Sequence, residues 1–274
     1  MLTTIVVLFL LSLSCGLIGM WMLLKKNTML ANTMTHTVLT GVVITYITMH
    51  QHIDSFYEMS SGMLLFAAIF TALITNVTSF FLLHIMKVQK DVSIALTFSW
   101  IFAVGVMLIN AYTRQTHLGL DMIMGSVDNI THKHILPCVL VLISVLVFVF
   151  VYYRLLIIDS LQCDQHVLSS QTVFHVVFAV VLSYVCVTSF VILGPFVMLT
   201  LLTSIPLIIR PWVGSIPNYV LAIVVLSFVL AVVPVLLQSA MFHVFFLRAS
   251  TGGFLSVTCL LGVSLSYTLK RNTS

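Results

Sequence analysis

A short polar stretch stands inside a long hydrophobic segment near the start of the chain. Residues 30–41 read LANTMTHTVLTG and contain one histidine, one asparagine and four threonines. Asn32 and His36 are four positions apart, so on a helix their side chains project from the same face, about one turn from each other. An imidazole nitrogen and an amide oxygen at that spacing can bind a divalent cation, or each can hydrogen-bond to a neighbouring helix. The spacing alone favours helix–helix bonding, and both interpretations stay open.

Motifs for several other kinds of chemistry are missing. The sequence has no GxxxxGKS/T phosphate-binding loop, no HExxH zinc motif and no GxSxG nucleophile motif. No Asp, Glu or Lys lies within the membrane spans predicted below. We therefore predict that the chain is not an enzyme, carries no covalently bound cofactor and is not a carboxylate-based proton pump. The chain alone has no motif for nucleotide hydrolysis.

The composition is that of an integral membrane protein. The chain has 274 residues, of which 61% are hydrophobic and only 7% charged, where a soluble domain has roughly a quarter charged residues. About 20 apolar residues cross the hydrocarbon core as a helix. Uncharged stretches of suitable length lie at 2–24, 29–49, 61–83, 92–112, 135–153, 171–193, 195–209, 218–240 and 250–269. These predict a polytopic all-α bundle of about 8–9 transmembrane helices, forming one membrane domain over residues 1–274.

The distribution of basic residues predicts the orientation of the bundle. The first stretch has no charged n-region and no cleavage site, so we expect it to be a retained span with the N-terminus outside. Eight Lys and Arg residues then fall on one side of the membrane and three on the other. By the positive-inside rule the side with eight, which includes the C-terminus, is cytoplasmic. The net charge of +4 is spread over several loops, which does not favour nucleic acid as a partner.

The segment from His166 to Ile209 contains no charged residue. A single helix of that length would be about twice too long for a bilayer, so the chain must turn back within it. Gly194-Pro195 is the predicted turn. The return pass, residues 195–209, is short and contains Pro206, which predicts a short or broken helix facing protein or a water-filled cavity.

The order of these features resembles that of a known family. Gly16 to Lys26, a glycine-bearing span ending in a basic pair, precedes Met29 to Gly41. Together they are similar to the permease subunits of ABC-type manganese and zinc importers, whose corresponding signature is L-x-G-D-A-x-S-H-A-V-L-P-G. Weaker matches follow in the family's order over nearly the whole chain, at residues 120–127, 163–170, 193–206 and 251–252.

The resemblance implies a function and partners. The chain would be the permease of an ATP-driven importer for zinc or manganese, with iron as a further possible substrate, in a bacterial plasma (inner) membrane. The ions would pass between two permease subunits, lined by His36 and Asn32. Cytoplasmic ATPase subunits would engage the loop around Asp164, Gln165 and His166, and an extracytoplasmic metal-binding protein would dock on an outer loop that includes Asp121 and Gly125. Membrane lipid would surround the bundle.

The sequence departs from the family pattern at the polar stretch. The family's aspartate is Asn32 here, which removes an anionic ligand, and its Pro-Gly is Thr40-Gly41. Neutral nitrogen and oxygen ligands favour zinc over manganese by a small margin. A partner permease that keeps the acid would make the path asymmetric. An ion-coupled secondary transporter or channel without an ATPase partner, and a purely structural membrane subunit, remain the alternative functions.

Overall fold

The structure, a computed structural model, is all-helical in the part of the chain that it describes. That part comprises residues 2–24, 28–49, 61–112, 127, 130–160, 169–245 and 250–273. Its α-helices are, in chain order, α1 (Leu2–Leu24), α2 (Thr28–Met49), α3 (Ser61–Phe80), α4 (Lys90–Tyr112), α5 (Ile135–Ser160), α6 (Ser169–Leu193), α7 (Pro195–Ile209), α8 (Ile216–Phe245) and α9 (Thr251–Thr273). A π-helical turn, Phe81–Ile85, extends α3, and a 3₁₀ turn, His132–His134, leads into α5. The predicted all-α class is confirmed.

The helices have the lengths that a membrane requires. Within the described residues, seven are long and apolar enough to cross a bilayer, and His36–Thr48 and Pro195–Ile209 are shorter apolar helical segments. These correspond to the nine predicted stretches, so the polytopic bundle is confirmed. Helices α5 and α8 extend beyond the predicted spans. The apolar residues themselves continue past the predicted ends, to Ile157 in α5 and Met241 in α8. In α5 the predicted span stops at the charged Arg154, which does not end the helix.

Helix α1 lies at the centre of the bundle, where it packs against α5, α7 and α8. In an 18-residue apolar segment of α1, 78% of the residues are buried, and in that of α6, 72% are buried. In α3, α4, α5, α8 and α9 the buried share of such a segment is between 22% and 33%. Their outward faces carry large apolar side chains, such as Phe150, which is 87% exposed. An apolar exterior of this kind is stable in lipid, where it costs no contact with water.

The chain reverses at Gly194, between α6 and α7. The φ of Gly194 is 90°, a conformation that favours glycine because it has no Cβ. Its N–H donates to the Phe190 carbonyl, ending α6, and its carbonyl accepts from Met198 N–H in the first turn of α7. Pro195 occupies a first-turn position, where its missing N–H costs no hydrogen bond.

Pro206, expected to take part in a helix break, lies inside α7 instead. The helix continues past it, because the Pro206 carbonyl still accepts from Arg210 N–H at 3.0 Å and also from the Tyr219 hydroxyl. Only the bond to the carbonyl four residues earlier, at Leu202, is lost. That carbonyl faces Gly19 of α1. A proline that the sequence associates with a break is thus accommodated by a close helix contact.

Contacts between helix ends show which ends share a side of the bundle. Thr3, at the start of α1, lies 3.4 Å from the His132 ring nitrogens at the start of α5. The C-terminal ends of α7 and α9 also meet, since the Trp212 indole N–H just after α7 donates to Ser266 Oγ of α9 at 2.8 Å. Arg210 and Lys270, which the charge count places on one side, accordingly line the same pocket. That this side is cytoplasmic stays a prediction from the positive-inside rule.

Candidate functional site on helix α2

Three threonine hydroxyls in the described part of α2 are bonded to backbone carbonyls. Thr37 donates to the Met34 carbonyl at 3.2 Å and Thr45 to the Gly41 carbonyl at 2.9 Å, both within the helix. Thr40 donates to the Ile101 carbonyl of α4 at 2.7 Å. These three side chains are at most 2% exposed. Part of the polar stretch therefore does hold helices together.

Glycines let α2 approach its neighbours closely enough for these bonds. A Cβ at Gly41 would lie 1.8 Å from Thr71 Oγ1 of α3, and one at Gly105 of α4 would lie 2.4 Å from Thr40 Oγ1. Small residues at such crossings allow backbones to meet and polar groups to bond between helices. Helix α2 is consequently held in a fixed position between α3 and α4.

His36 differs from these threonines. Its imidazole is half-buried and packs against two phenylalanine rings of α4, with ring centroids 4.8 Å from Phe98 and 5.1 Å from Phe102. No hydrogen bond joins the imidazole to another described residue. The aromatic pair restricts the position of the ring while leaving its nitrogens without a partner among these residues. Such an imidazole can accept a proton or coordinate a metal ion.

His36 by itself cannot form a complete metal site. Among the described residues, no group of three or more His, Cys, Asp or Glu side chains is close enough to hold a metal ion. Divalent transition metals in proteins take four or more ligands. Further ligands would have to come from Asn32, from water or from a second copy of the chain. Asn32 lies in α2 one turn before His36, and its side chain lies outside the described part of the structure.

The aromatic surroundings of His36 were missed in the sequence. Phe98 and Phe102 are four residues apart on α4 and stack at a centroid distance of 5.9 Å. Their spacing predicts a common helix face, but the sequence gives no sign that this face meets α2. The structure brings His36 together with these two rings.

The five predicted functional residues in the two loops lie outside the described residues. These are Asp121 and Gly125 of the outer loop and Asp164, Gln165 and His166 of the cytoplasmic loop. Their roles stay predictions. Gly194, Pro195 and Pro206 are described, and they shape α7 as given above rather than contributing side chains to the surroundings of His36.

A comparison with protein families identifies the kind of molecule in which this histidine lies. The model of the ABC 3 transport family matches residues 1–265. The chain belongs to the ABC 3 transport family. This confirms the family predicted from the motifs around residues 16–41. As a permease of this family, the chain is a multi-pass protein of the bacterial inner membrane.

Relatives of this family permease carry names that refer to metals. A probable metal transport system membrane protein of Chlamydia trachomatis is 34% identical over 139 residues, which are 51% of this chain and 42% of that protein. The manganese transport system membrane protein MntD of Bacillus subtilis is 33% identical over 119 residues, 43% of this chain and 38% of that protein. The chain thus matches less than half the length of these curated relatives.

A solved structure has the same fold as this permease. It is described as PsaBC from Streptococcus pneumoniae in complex with Fab, and it superposes with a TM-score of 0.74. The match covers 97% of this chain and 90% of that chain at 17% sequence identity. The likeness supports the arrangement of the helices from end to end.

Proposed function

We propose that this chain is the permease subunit of an ATP-driven importer for divalent metal ions, with zinc or manganese as substrate. The observation that carries the proposal is His36. It is a half-buried imidazole without a hydrogen-bond partner among the described residues, on a helix whose described threonines 37, 40 and 45 are bonded to carbonyls. Family membership and the metals in the relatives' names support the substrate class.

The position of His36 suits a translocation path. It is the ninth residue of α2, so at about 1.5 Å per residue it lies roughly 12 Å from the start of the helix, within the hydrocarbon region. An imidazole nitrogen at that depth can replace part of the hydration shell of a passing cation. Two neutral pairs of His36 and Asn32, one from each of two permease subunits, would supply up to four ligands. Few and neutral ligands favour transient binding over storage, as a transport path requires.

The remaining parts of the mechanism involve partner subunits. An extracytoplasmic metal-binding protein would dock on the outer loop with Asp121 and Gly125 and release the ion into the path. Closure of the cytoplasmic ATPase pair on ATP would act through the loop with Asp164, Gln165 and His166. Because the chain has no phosphate-binding loop, the energy for directional transport would come from those partners.

Uptake of radioactive zinc and manganese by cells tests the class of transporter. Cells would express the chain alone, with its ATPase, or with both the ATPase and the metal-binding protein. We expect uptake of at least one ion only with the complete set. Equal uptake by the chain alone would contradict the importer and support the secondary transporter or channel. Membrane abundance of the chain, measured by immunoblot, must be equal in the three cell lines.

Replacement of Asn32 tests whether the missing carboxylate sets the metal preference. Asn32→Asp restores an anionic oxygen ligand one helical turn before His36 on α2, and manganese prefers such hard ligands. We expect the purified complex to bind Mn²⁺ about tenfold more tightly, since one charge-assisted contact is worth roughly 1.5 kcal/mol. Isothermal titration with Mn²⁺ and Zn²⁺ measures this, with Asn32→Gln as the uncharged control. Unchanged Mn²⁺ affinity would mean that Asn32 does not face the ion.

A further inference from the structure

Two serines in the interior of the bundle lack a hydrogen-bond partner. Ser12, on the central helix α1, and Ser227, on α8, are both 0% exposed, and neither hydroxyl bonds to another group in the described part of the chain. Many other hydroxyls of these helices donate to a carbonyl three or four residues earlier, as Ser14 does to Leu10 at 2.8 Å. The two serines do not make that bond. Their hydroxyls are therefore available to a group outside their own helices.

Contacts on either side show that the two serines face each other. A Cβ on Gly16 would lie 2.7 Å from Ile223 Cγ2, and the ring centroids of Phe9 and Phe228 are 6.1 Å apart. Residue numbers rise along α8 as they fall along α1 between these two contacts, so the helices run antiparallel. The serine of α1 is four residues before Gly16, and that of α8 is four residues after Ile223. Each serine thus lies on the face that carries these contacts, opposite the other.

The surroundings of the two serines limit what could bind between them. The contacts on either side are made by a glycine, an isoleucine and two phenylalanines, so they offer the hydroxyls no polar side chain. The full burial of both serines leaves no opening for a lipid chain or a peptide. No group of three or more His, Cys, Asp or Glu side chains that could hold a metal ion occurs among the described residues. Two neutral hydroxyls suit a small neutral ligand that both donates and accepts hydrogen bonds.

We propose that one water molecule is bound between Ser12 and Ser227 and bridges their hydroxyls. A hydroxyl donates one hydrogen bond and accepts two, and water can donate two and accept two, so one water can bond to both serines. Buried waters typically join polar groups that are otherwise unsatisfied, and a hydroxyl without any bond in apolar surroundings costs free energy. The water would link the central helix to α8 through a polar contact. This proposal goes beyond the proposed function and does not depend on which ion is carried.

Replacing either serine with alanine tests the bridge through the sign of the change in stability. Ser12→Ala or Ser227→Ala would remove one of the two protein partners of the water. Each variant should lower the thermal unfolding midpoint of the purified protein in detergent by about 3 °C, the effect of one typical hydrogen bond in a chain of this size. The double variant removes both partners, so the water need not bind. It should be no less stable than either single variant.

Ser14→Ala is the matched control. Ser14 is also a fully buried serine of α1, and its hydroxyl bonds to the Leu10 carbonyl of the same helix. Its effect should add to that of Ser227→Ala, because the two residues share no ligand. A higher midpoint for Ser12→Ala and Ser227→Ala would overturn the proposal, because it would show that the wild-type hydroxyls have no partner. Additive losses in the double variant would overturn it as well.

A density map of the purified transporter complex, at a resolution that shows ordered water, tests the site without any substitution. We expect a peak within hydrogen-bond distance of both hydroxyls. A map that shows other buried waters and no peak here would overturn the proposal, as would a direct bond between the two hydroxyls. The map decides the question even if the single variants fail to fold.

Discussion

Replacing His36 with alanine is expected to reduce zinc or manganese uptake to the level of cells that lack the chain. Removing a residue that only orients a metal ligand already costs about 10- to 100-fold in affinity or activity. Removing the ligand itself should cost more. Uptake of the radioactive ion, by cells that also express the ATPase and the metal-binding protein, measures the effect at matched membrane abundance. Thr45→Ala is the control, because Thr45 is a buried polar residue of the same helix and its hydroxyl bonds to the Gly41 carbonyl within α2.

A second variant separates coordination from packing at the same position. The His36 ring lies among Phe98 and Phe102, so His36→Phe keeps an aromatic ring in this cluster and removes only the nitrogens. If the imidazole coordinates the ion, His36→Phe should be as inactive as His36→Ala, with normal folding and assembly. Uptake near the wild-type level in His36→Phe would show that the ring is needed for helix packing alone. A structural subunit would instead lose complex assembly in both variants.

Helix positions in this chain could be predicted from the sequence because one physical signal dominates. Each crossing needs about 20 apolar residues, and the nine uncharged stretches have corresponding helices in the structure. The turn at Gly194 is found for the same reason, since a segment of 44 residues without charge, from His166 to Ile209, cannot cross once. The end of α5 was predicted less accurately, because the predicted span stops at the charged Arg154 and the apolar helix continues past it.

Contacts between helices could not be predicted in this way. Thr40 bonds to a carbonyl 61 residues later in the chain, and α3 packs against α6 rather than only against its sequence neighbours. Within a membrane every helix is apolar around most of its surface, so hydropathy does not indicate which face meets which partner. The two interpretations of the polar stretch illustrate this. Thr40 links α2 to α4, as the helix-bonding interpretation requires, while the role of His36 as a metal ligand stays a prediction.

Pro206 does not break the helix, although the short helix predicted over residues 195–209 is present as α7. Proline removes the N–H that would bond to the carbonyl four residues earlier, which disfavours a helix interior. In α7 that carbonyl belongs to Leu202, and it is directed toward Gly19 of α1. The hydrogen that takes the place of Cβ on Gly19 points at this oxygen, the geometry of a weak Cα–H···O contact. The contact depends on a residue about 180 positions away in sequence.

Replacing Gly19 with alanine is therefore expected to destabilise the bundle strongly. A Cβ at this position would lie 2.1 Å from the Leu202 carbonyl oxygen and 3.1 Å from its carbon, so α1 and α7 would have to separate. The obstacle is backbone, whereas at Gly41 the nearest atom is the Thr71 hydroxyl, which can rotate away. Overpacking costs about 1–3 kcal/mol and occasionally more, and we expect the upper end because α1 is the central helix.

Thermal unfolding of the purified protein in detergent measures the effect of Gly19→Ala, together with the yield of monodisperse protein. The matched control is Gly253→Ala in α9, where a Cβ would meet no atom within 4 Å. Alanine is favoured over glycine in a helix interior by about 1 kcal/mol, so the control should be unchanged or slightly more stable. Gly19→Ala gains the same helix propensity, so any loss of stability that is measured remains after this gain. Equal midpoints for the two variants would show that α1 and α7 can separate without cost, and that the Leu202 carbonyl does not need the glycine.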